Sequence, residues 1–259
     1  MDLRIAGRKA LVLASTKGLG RACATSLARE GVQVWINGRT EETVQAAAAE
    51  IARETGGTVA GVAADLTTEA GRARLVAACP EADILVTNNE GPKPGRFEDW
   101  DHAAYLEAFE ANMLGPVLMI RALLPGMRAR RFGRIVNITS AMVKAPNPHQ
   151  GLSTAARTAL TAVCKAISRE AVVDNVTINN LLPERIDTGR QQFLTERQAR
   201  IDGITFEQAR RKLEETIAAK RFGRTDEFGD LCAYLCSDQA SYVCGQNIQV
   251  DGGSYKGIV

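Results

Sequence analysis

The sequence predicts an α/β fold: a doubly wound parallel sheet with helices on both faces, three layers in a single domain. Three observations predict it. Short apolar runs alternate with stretches of helical periodicity along most of the chain, a pattern that sets the strands parallel with a helix crossing between them. A small, Gly-punctuated turn joins the first run to the first helix. The length, 259 residues, sits at the upper end of what one such domain uses and suffices for a real core.

Each element follows from local chemistry. Lys9 to Ala14 is a short apolar run, Ser15 to Gly20 is small and Gly-punctuated, and Leu19 to Glu30 has helical periodicity closed by Gly31. That is strand, phosphate loop and helix. Val32 to Asn37 reads as a second strand, Glu41 to Glu54 as an Ala-rich helix, and Thr58 to Ala63 as a third strand stopping before Asp65. Arg72 to Ala77 is helix and Ala82 to Val86 strand. The prolines of Gly91-Pro92-Lys93-Pro94-Gly95 make a rigid loop, which leads into a long helical region from about His102 to Arg130. Arg134 to Thr139 is a strand that delivers Ser140. A loop broken by Pro146 and Pro148 follows, then a helix from Leu152 to Ala171 and a strand from Val176 to Leu182. Residues 189–220 interrupt the rhythm. They are polar, with Phe193, Ile201, Phe206, Leu213 and Ile217 at spacings that suit short amphipathic helices. Because sheet-type sequence resumes at once, this insertion is expected to be a lid over a pocket. Asp226 to Ser237 as helix and Gln246 to Val250 as strand close the fold, and no internal repeat is present.

Composition narrows the function classes. Hydrophobic content of 45%, charged content of 24% and a net charge of +2 leave no footprint for nucleic acid or an anionic membrane. The basic cluster Arg128, Arg130, Arg131 and Arg134 is expected to be a solvated helix end. The longest apolar run, Met113 to Leu124, is broken by Gly115, Pro116 and Arg121 and is too short to span a bilayer. The N-terminus has no signal-like core, so a cytoplasmic location is expected. Six cysteines without a CxxC, and only His102 and His149 beside them, predict no metal site. Cys232 and Cys236, one helical turn apart, read as buried reduced thiols.

Gly18 and Gly20 sit where the chain must turn tightly and let backbone N–H groups approach a pyrophosphate at a helix N-terminus. Arg39 stands at the end of the second strand, where an NAD-binding chain places an acid for the ribose hydroxyls. With Lys17 and Thr40 nearby, Arg39 can grip a 2′-phosphate bidentately, which favours NADP(H) over NAD(H); otherwise it solvates a strand end. Asp65 reads as an acceptor for the adenine amine or as a cap before Thr67.

These pieces, in this order, resemble the short-chain dehydrogenase/reductase family, in its ketoacyl carrier-protein reductase type, over essentially the whole chain. Leu13 to Gly20 is similar to the family's TGxxxGxG loop, Asp65-Leu66 to its adenine motif and Asn112 to its helix asparagine. Ile135 to Ser140 is similar to the strand that ends in the catalytic serine, and Phe222-Gly223-Arg224 through Val250-Asp251-Gly252-Gly253 to the closing segment. The resemblance implies a Rossmann-type fold and a homotetramer or homodimer acting on a small-molecule substrate. It implies a cofactor site made of Ser15, Thr16, Lys17, Gly18, Leu19, Gly20, Arg39, Thr40, Asp65, Leu66, Asn88, Arg157, Pro183 and Ile186. The departures cluster where the nicotinamide is expected. Leu13-Ala14 replaces Thr-Gly, Thr87-Asn88-Asn89-Glu90-Gly91 replaces the Asn-Asn-Ala-Gly signature, and Glu184 follows Pro183 where the family has Gly. Ser153 and Arg157 stand where the family has Tyr and Lys.

By resemblance Ser140 holds the carbonyl oxygen and Asn112 a relay water, while Ser153 replaces the proton donor and Arg157 the ribose-binding lysine. Arginine supplies charge but is effectively always protonated, and serine is a poor acid. A general acid is worth about 10²–10⁴ in rate, roughly 3–5 kcal/mol of barrier, so its loss weakens hydride transfer without abolishing it. A water held by Ser140, Ser153 and Asn112, or His149 aimed inward, could serve instead, or the substrate needs little acid. Tyr105, Tyr234, Tyr242 and Tyr255 read as packing or surface residues. The expected function is an NADP(H)-dependent oxidoreductase with an atypical active site. The alternative is a catalytically impaired nucleotide-binding homologue that acts as a sensor or assembly subunit.

Overall fold

The computed structural model describes residues 1–258. Seven strands form one sheet: β1 (Lys9–Val12), β2 (Gln33–Gly38), β3 (Val59–Ala63), β4 (Ile84–Thr87), β5 (Gly133–Ile138), β6 (Val176–Pro183) and β7 (Asn247–Val250). Their spatial order is β3-β2-β1-β4-β5-β6-β7, and every neighbouring pair is parallel. The order reverses between β1 and β4, so a crevice opens there at the carboxyl ends of the strands.

Helices α1 (Gly18–Arg29), α2 (Glu41–Thr55) and α9 (Thr225–Leu235) cover one face, where Leu27, Ile51 and Phe228 pack on Val34 and Val136. On the other face Leu75, Met119 and Leu160 pack on Leu85 and Ile135. They belong to α3 (Glu69–Ala78), α5 (Gly115–Ala129) and α6 (Gly151–Ala171). These are the three expected layers, and each fully buried Val, Leu or Ile adds about 1.5–3 kcal/mol. β5 is buried along its whole length because it is central and covered on both sides.

The expected long helix after His102 is one helical column in three parts: α4 (His102–Phe109), a π-helical segment Glu110–Leu114, and α5. The insertion at 189–220 contains α7 (Gly189–Asp202) and α8 (Phe206–Glu215), as its apolar spacing predicts.

The basic cluster departs from expectation at one residue. Arg128 and Arg131 pair with Asp174 at the surface, but Arg134 is fully buried in β5. Its Nε donates to Ser237 O at 3.0 Å and its Nη1 to Gly133 O at 2.8 Å and Asn175 O at 2.9 Å. Its guanidinium also lies 4.3 Å from the Phe132 ring centre. Carbonyl acceptors and an aromatic face hold the charge inside, although burial lowers its pKa. Cys23, Cys232 and Cys236 are buried free thiols.

Candidate functional site

The crevice is floored by the loop after β1. Gly18 has φ +60, and a Cβ on Gly20 would lie 2.6 Å from Ala14 O and 2.9 Å from Asn88 Nδ2, so only glycine permits this turn. Lys17 is the N-cap of α1 and makes no side-chain capping hydrogen bond, which leaves the helix's first N–H groups open to an anion. Ser15 is buried. Its hydroxyl donates to Val12 O at 2.6 Å and accepts from Asn37 N at 3.0 Å, pinning the loop to β2. Thr16 packs against Gly38, where a Cβ would meet its methyl at 2.6 Å. Leu19 packs against the α1-side core. Asn88 Nδ2 donates to Ala14 O at 3.0 Å and so braces the same loop.

Arg39 and Thr40 follow β2. The Arg39 guanidinium is exposed and lies 3.5 Å from the Glu90 carboxylate, itself exposed. Such a surface contact is weak and easily exchanged. Thr40 is the N-cap of α2 and its hydroxyl bonds that of Thr43 at 2.6 Å. After β3, Asp65 Oδ1 accepts from Thr67 N at 2.9 Å and Thr67 Oγ1 at 2.7 Å. Those hydrogen bonds, with a smaller contribution from Arg39, lower its pKa. The helix cap itself is Thr68, which accepts from Gly71 N. Leu66 is buried beside Gly115. Past β6, Pro183 pairs with Val250 and Ile186 is buried, bridged to Gly223.

The second half of the site surrounds α6. Ser140 caps a short 3-10 turn, Ala141–Val143, by accepting from Met142 N at 3.2 Å, which leaves its own O–H free to donate. Ser153 and Arg157 lie one turn apart on the buried face of α6, and Arg157 Nη1 donates to Ser153 Oγ. Among the described residues no carboxylate pairs with Arg157. Burial, then the neighbouring Arg190, lowers its pKa to about 10. Asn112 is buried in the π-helical segment, and its amide donates weakly to Ala108 O and Glu90 O at 3.4 and 3.5 Å. Such segments break the helical ladder and often accompany functional positions. Asn89 Nδ2 donates to Ala111 O at 2.9 Å, so the Asn89–Pro92 loop is tied to the same segment.

Some neighbours carry no sequence signal. A Cβ on Gly91 would lie 3.6 and 3.7 Å from the two Nη atoms of Arg157 and 3.7 Å from Arg190 Nη2. Arg190 also donates to Pro92 O at 2.8 Å. Thr188 caps α7 and its methyl approaches Gly18, at 4.0 Å from a Cβ placed there. Neither residue was singled out by the sequence, although Arg190 falls at the start of the 189–220 insertion. An apolar cavity of about 440 Å³ lies alongside, lined by Phe97, Trp100, Tyr105, Pro146 and Thr154. Thr154 Oγ1 is buried there without a hydrogen-bond partner among the described residues. Tyr105, expected to be a packing or surface residue, lines this cavity. His149 is exposed, and only its backbone is engaged, by Asn147 and Gly95. Glu184 is half-buried; desolvation raises its pKa, Arg185 opposes the rise and Asp251 adds to it. Among the described residues no group of acids, histidines and cysteines could hold a metal, and no helix is long and apolar enough to cross a membrane.

A family model for enoyl-(acyl carrier protein) reductases matches residues 13–255. The dehydrogenase/reductase SDR family member 4 of Bos taurus is 32% identical over 95% of this chain and 86% of its own length. The 3-oxoacyl-(acyl-carrier-protein) reductase of Aquifex aeolicus is 30% identical over 98% of this chain and 100% of its own. The crystal structure of L-sorbose reductase from Gluconobacter frateurii, complexed with NADPH and L-sorbose, superposes with a TM-score of 0.94 at 27% identity and covers 100% of both chains. With a family match over nearly its full length and relatives this similar from end to end, the chain belongs to the short-chain dehydrogenase/reductase family.

Proposed function

We propose that the protein is an NADP(H)-dependent oxidoreductase that transfers a hydride to or from a small carbonyl or alcohol substrate and moves the accompanying proton by an atypical route. The observation that carries this reading is the joint presence of an uncapped α1 N-terminus beside a glycine cradle and a Ser140 hydroxyl with its proton free. The residues fit the cofactor. Open N–H groups at α1 suit its pyrophosphate, and the exposed Arg39 suits a 2′-phosphate, with Glu90 as a contact that it gives up. Asp65, Leu66 and Asn88 would flank the adenosine and ribose, and Pro183 and Ile186 the nicotinamide. The NADPH bound in the L-sorbose reductase supports the same choice.

When bound, NADPH would supply the hydride and a water the proton; the chain binds and orients both. Ser140 donates to the carbonyl oxygen. Arg157 occupies an acceptor site on Ser153 Oγ, so the Ser153 proton points away from the guanidinium and is available to a water. Asn112 holds that water through an amide whose protein contacts are long and easily traded. Arg157 faces the ribose and contributes positive charge without passing a proton. Residues 189–220 act as a lid that excludes bulk water on closure, within one cytoplasmic domain that assembles as a homodimer or homotetramer.

A spectrophotometric screen of NADPH oxidation against aldehydes, ketones, imines and quinones tests the reading. Turnover is expected with at least one class, falling about a hundredfold in Ser140→Ala. Ser140→Ala with full activity would remove Ser140 from the mechanism. Bound NADPH with no turnover on any class would leave the nucleotide-binding sensor or assembly subunit as the function.

A further inference from the structure

Arg157 is buried on α6, and among the described residues its guanidinium donates only to the Ser153 hydroxyl. Arg190, half-buried at the start of α7, reaches the same glycine from the opposite element; it donates to Pro92 O at 2.8 Å and its guanidinium lies 5.6 Å from the Phe193 ring centre. Two like charges thus flank Gly91: burial and then Arg190 lower the pKa of Arg157, while burial lowers that of Arg190 and Glu90 partly opposes the fall. Glu90, which acts on Arg190 through space, makes its ion pair with Arg39 instead, at 3.5 Å. Among the described residues neither arginine makes an ion pair. Buried charges are ordinarily paired, and a guanidinium keeps five donors in a fork suited to oxyanions. Gly91 lacks the side chain that would otherwise fill the space between them.

We infer that Arg157 and Arg190 form an oxyanion subsite around Gly91, so the substrate carries a carboxylate or phosphate near its reacting carbonyl. This deepens the proposed oxidoreductase reading and rests on it for the word substrate. The chemistry is specific to this pair: a neutral ligand would leave two desolvated charges unmatched, whereas an anionic group accepts from both. Arg190 is a binding residue here, and Arg157 serves both this group and the ribose side.

Two measurements on NADP⁺-saturated protein test the subsite. The first is the thermal midpoint in acetate or inorganic phosphate against chloride at equal ionic strength, which needs no turnover. Wild type is expected to be stabilised by at least one oxyanion, and Arg190→Gln to lose that shift. The second compares kcat/KM for phenylpyruvate with its methyl ester, and for dihydroxyacetone phosphate with dihydroxyacetone. The charged member of at least one pair is expected to be preferred by about tenfold or more, a ratio that falls toward one in Arg190→Gln. Whichever pair responds identifies carboxylate or phosphate. No oxyanion-specific stabilisation in wild type, or an Arg190→Gln effect confined to NADP⁺ affinity, overturns the subsite. An oxyanion shift lost in Arg190→Gln without turnover of any acceptor keeps the subsite and removes the enzyme reading instead.

Discussion

Glu184 shows how single side chains at this site are held away from their ordinary chemistry. Desolvation favours its neutral form, Asp251 adds to that, and Arg185 only partly opposes it. A carboxyl whose folded pKa is raised binds its proton more tightly in the native state. Its favourable contribution is then complete below the unfolded carboxylate pKa, about 4.3, and is lost as pH rises through the folded value. Glu184→Gln is therefore expected to raise the thermal midpoint of the cofactor-free protein at pH 7 and to leave it nearly unchanged at pH 4. A gain that is equal at both pH values would show that charge burial is not the cause. The residue scale is also where sequence alone was least informative. Arg134 looks like the other arginines of its cluster, and the resemblance that picks out Arg157 says nothing of its burial, yet one is held inside by three carbonyls and a ring and the other is buried with a hydroxyl. Which arginines are buried is decided by elements distant in the chain, such as Ser237 against Arg134.

Elements were legible because their signals are local. Strand and helix alternation, the glycines after β1 and the apolar spacing in α7 and α8 are written within windows of a few residues, and each element forms where that pattern places it. The π-helical segment was not legible. Its sequence, Glu-Ala-Asn-Met-Leu, is ordinary helix former, and the extra residue in its ladder accompanies packing of Asn112 against the Asn89–Pro92 loop. The glycine cradle carries a sharp expectation at this scale. A Cβ at Gly20 meets Ala14 O at 2.6 Å and Asn88 Nδ2 at 2.9 Å, and the backbone oxygen has little room to retreat. Gly20→Ala is expected to cost about 1–3 kcal/mol of stability and to weaken NADPH binding at least as much as it weakens the fold. Calorimetric titration checks it: unchanged affinity for NADPH would mean that the cofactor does not use this loop.

Across the whole molecule, stability is unevenly distributed. The sheet buries β5 and most of β6 on both faces, whereas α7 buries only Gln191, Thr195 and Ala199 and leaves Ile201 and Phe193 exposed. Its companion α8 is anchored to the exit of β6 mainly by the Arg210–Asp187 pair at 2.8 Å. Hydrogen exchange is expected to be fastest in residues 189–215 and slowest in β5, with NADPH slowing the former. Protection of 189–215 that matches the sheet in the cofactor-free protein would contradict the lid. The sheet thus holds its crevice firmly, whereas α7 and α8, beside Arg157 and Arg190, are weakly held.

The central claim is that hydride transfer proceeds here without a titrating proton donor on the chain. Its most direct test is the pH profile of kcat/KM for NADPH oxidation with an acceptor that does not itself ionise. A serine hydroxyl does not titrate in the accessible range, and Arg157, with its pKa lowered to about 10, stays charged through neutral pH. Measurable turnover with a profile flat between about pH 6 and pH 9 is the predicted result. An inflection within that window would contradict the account, because it would place the proton on an ionising side chain such as His149.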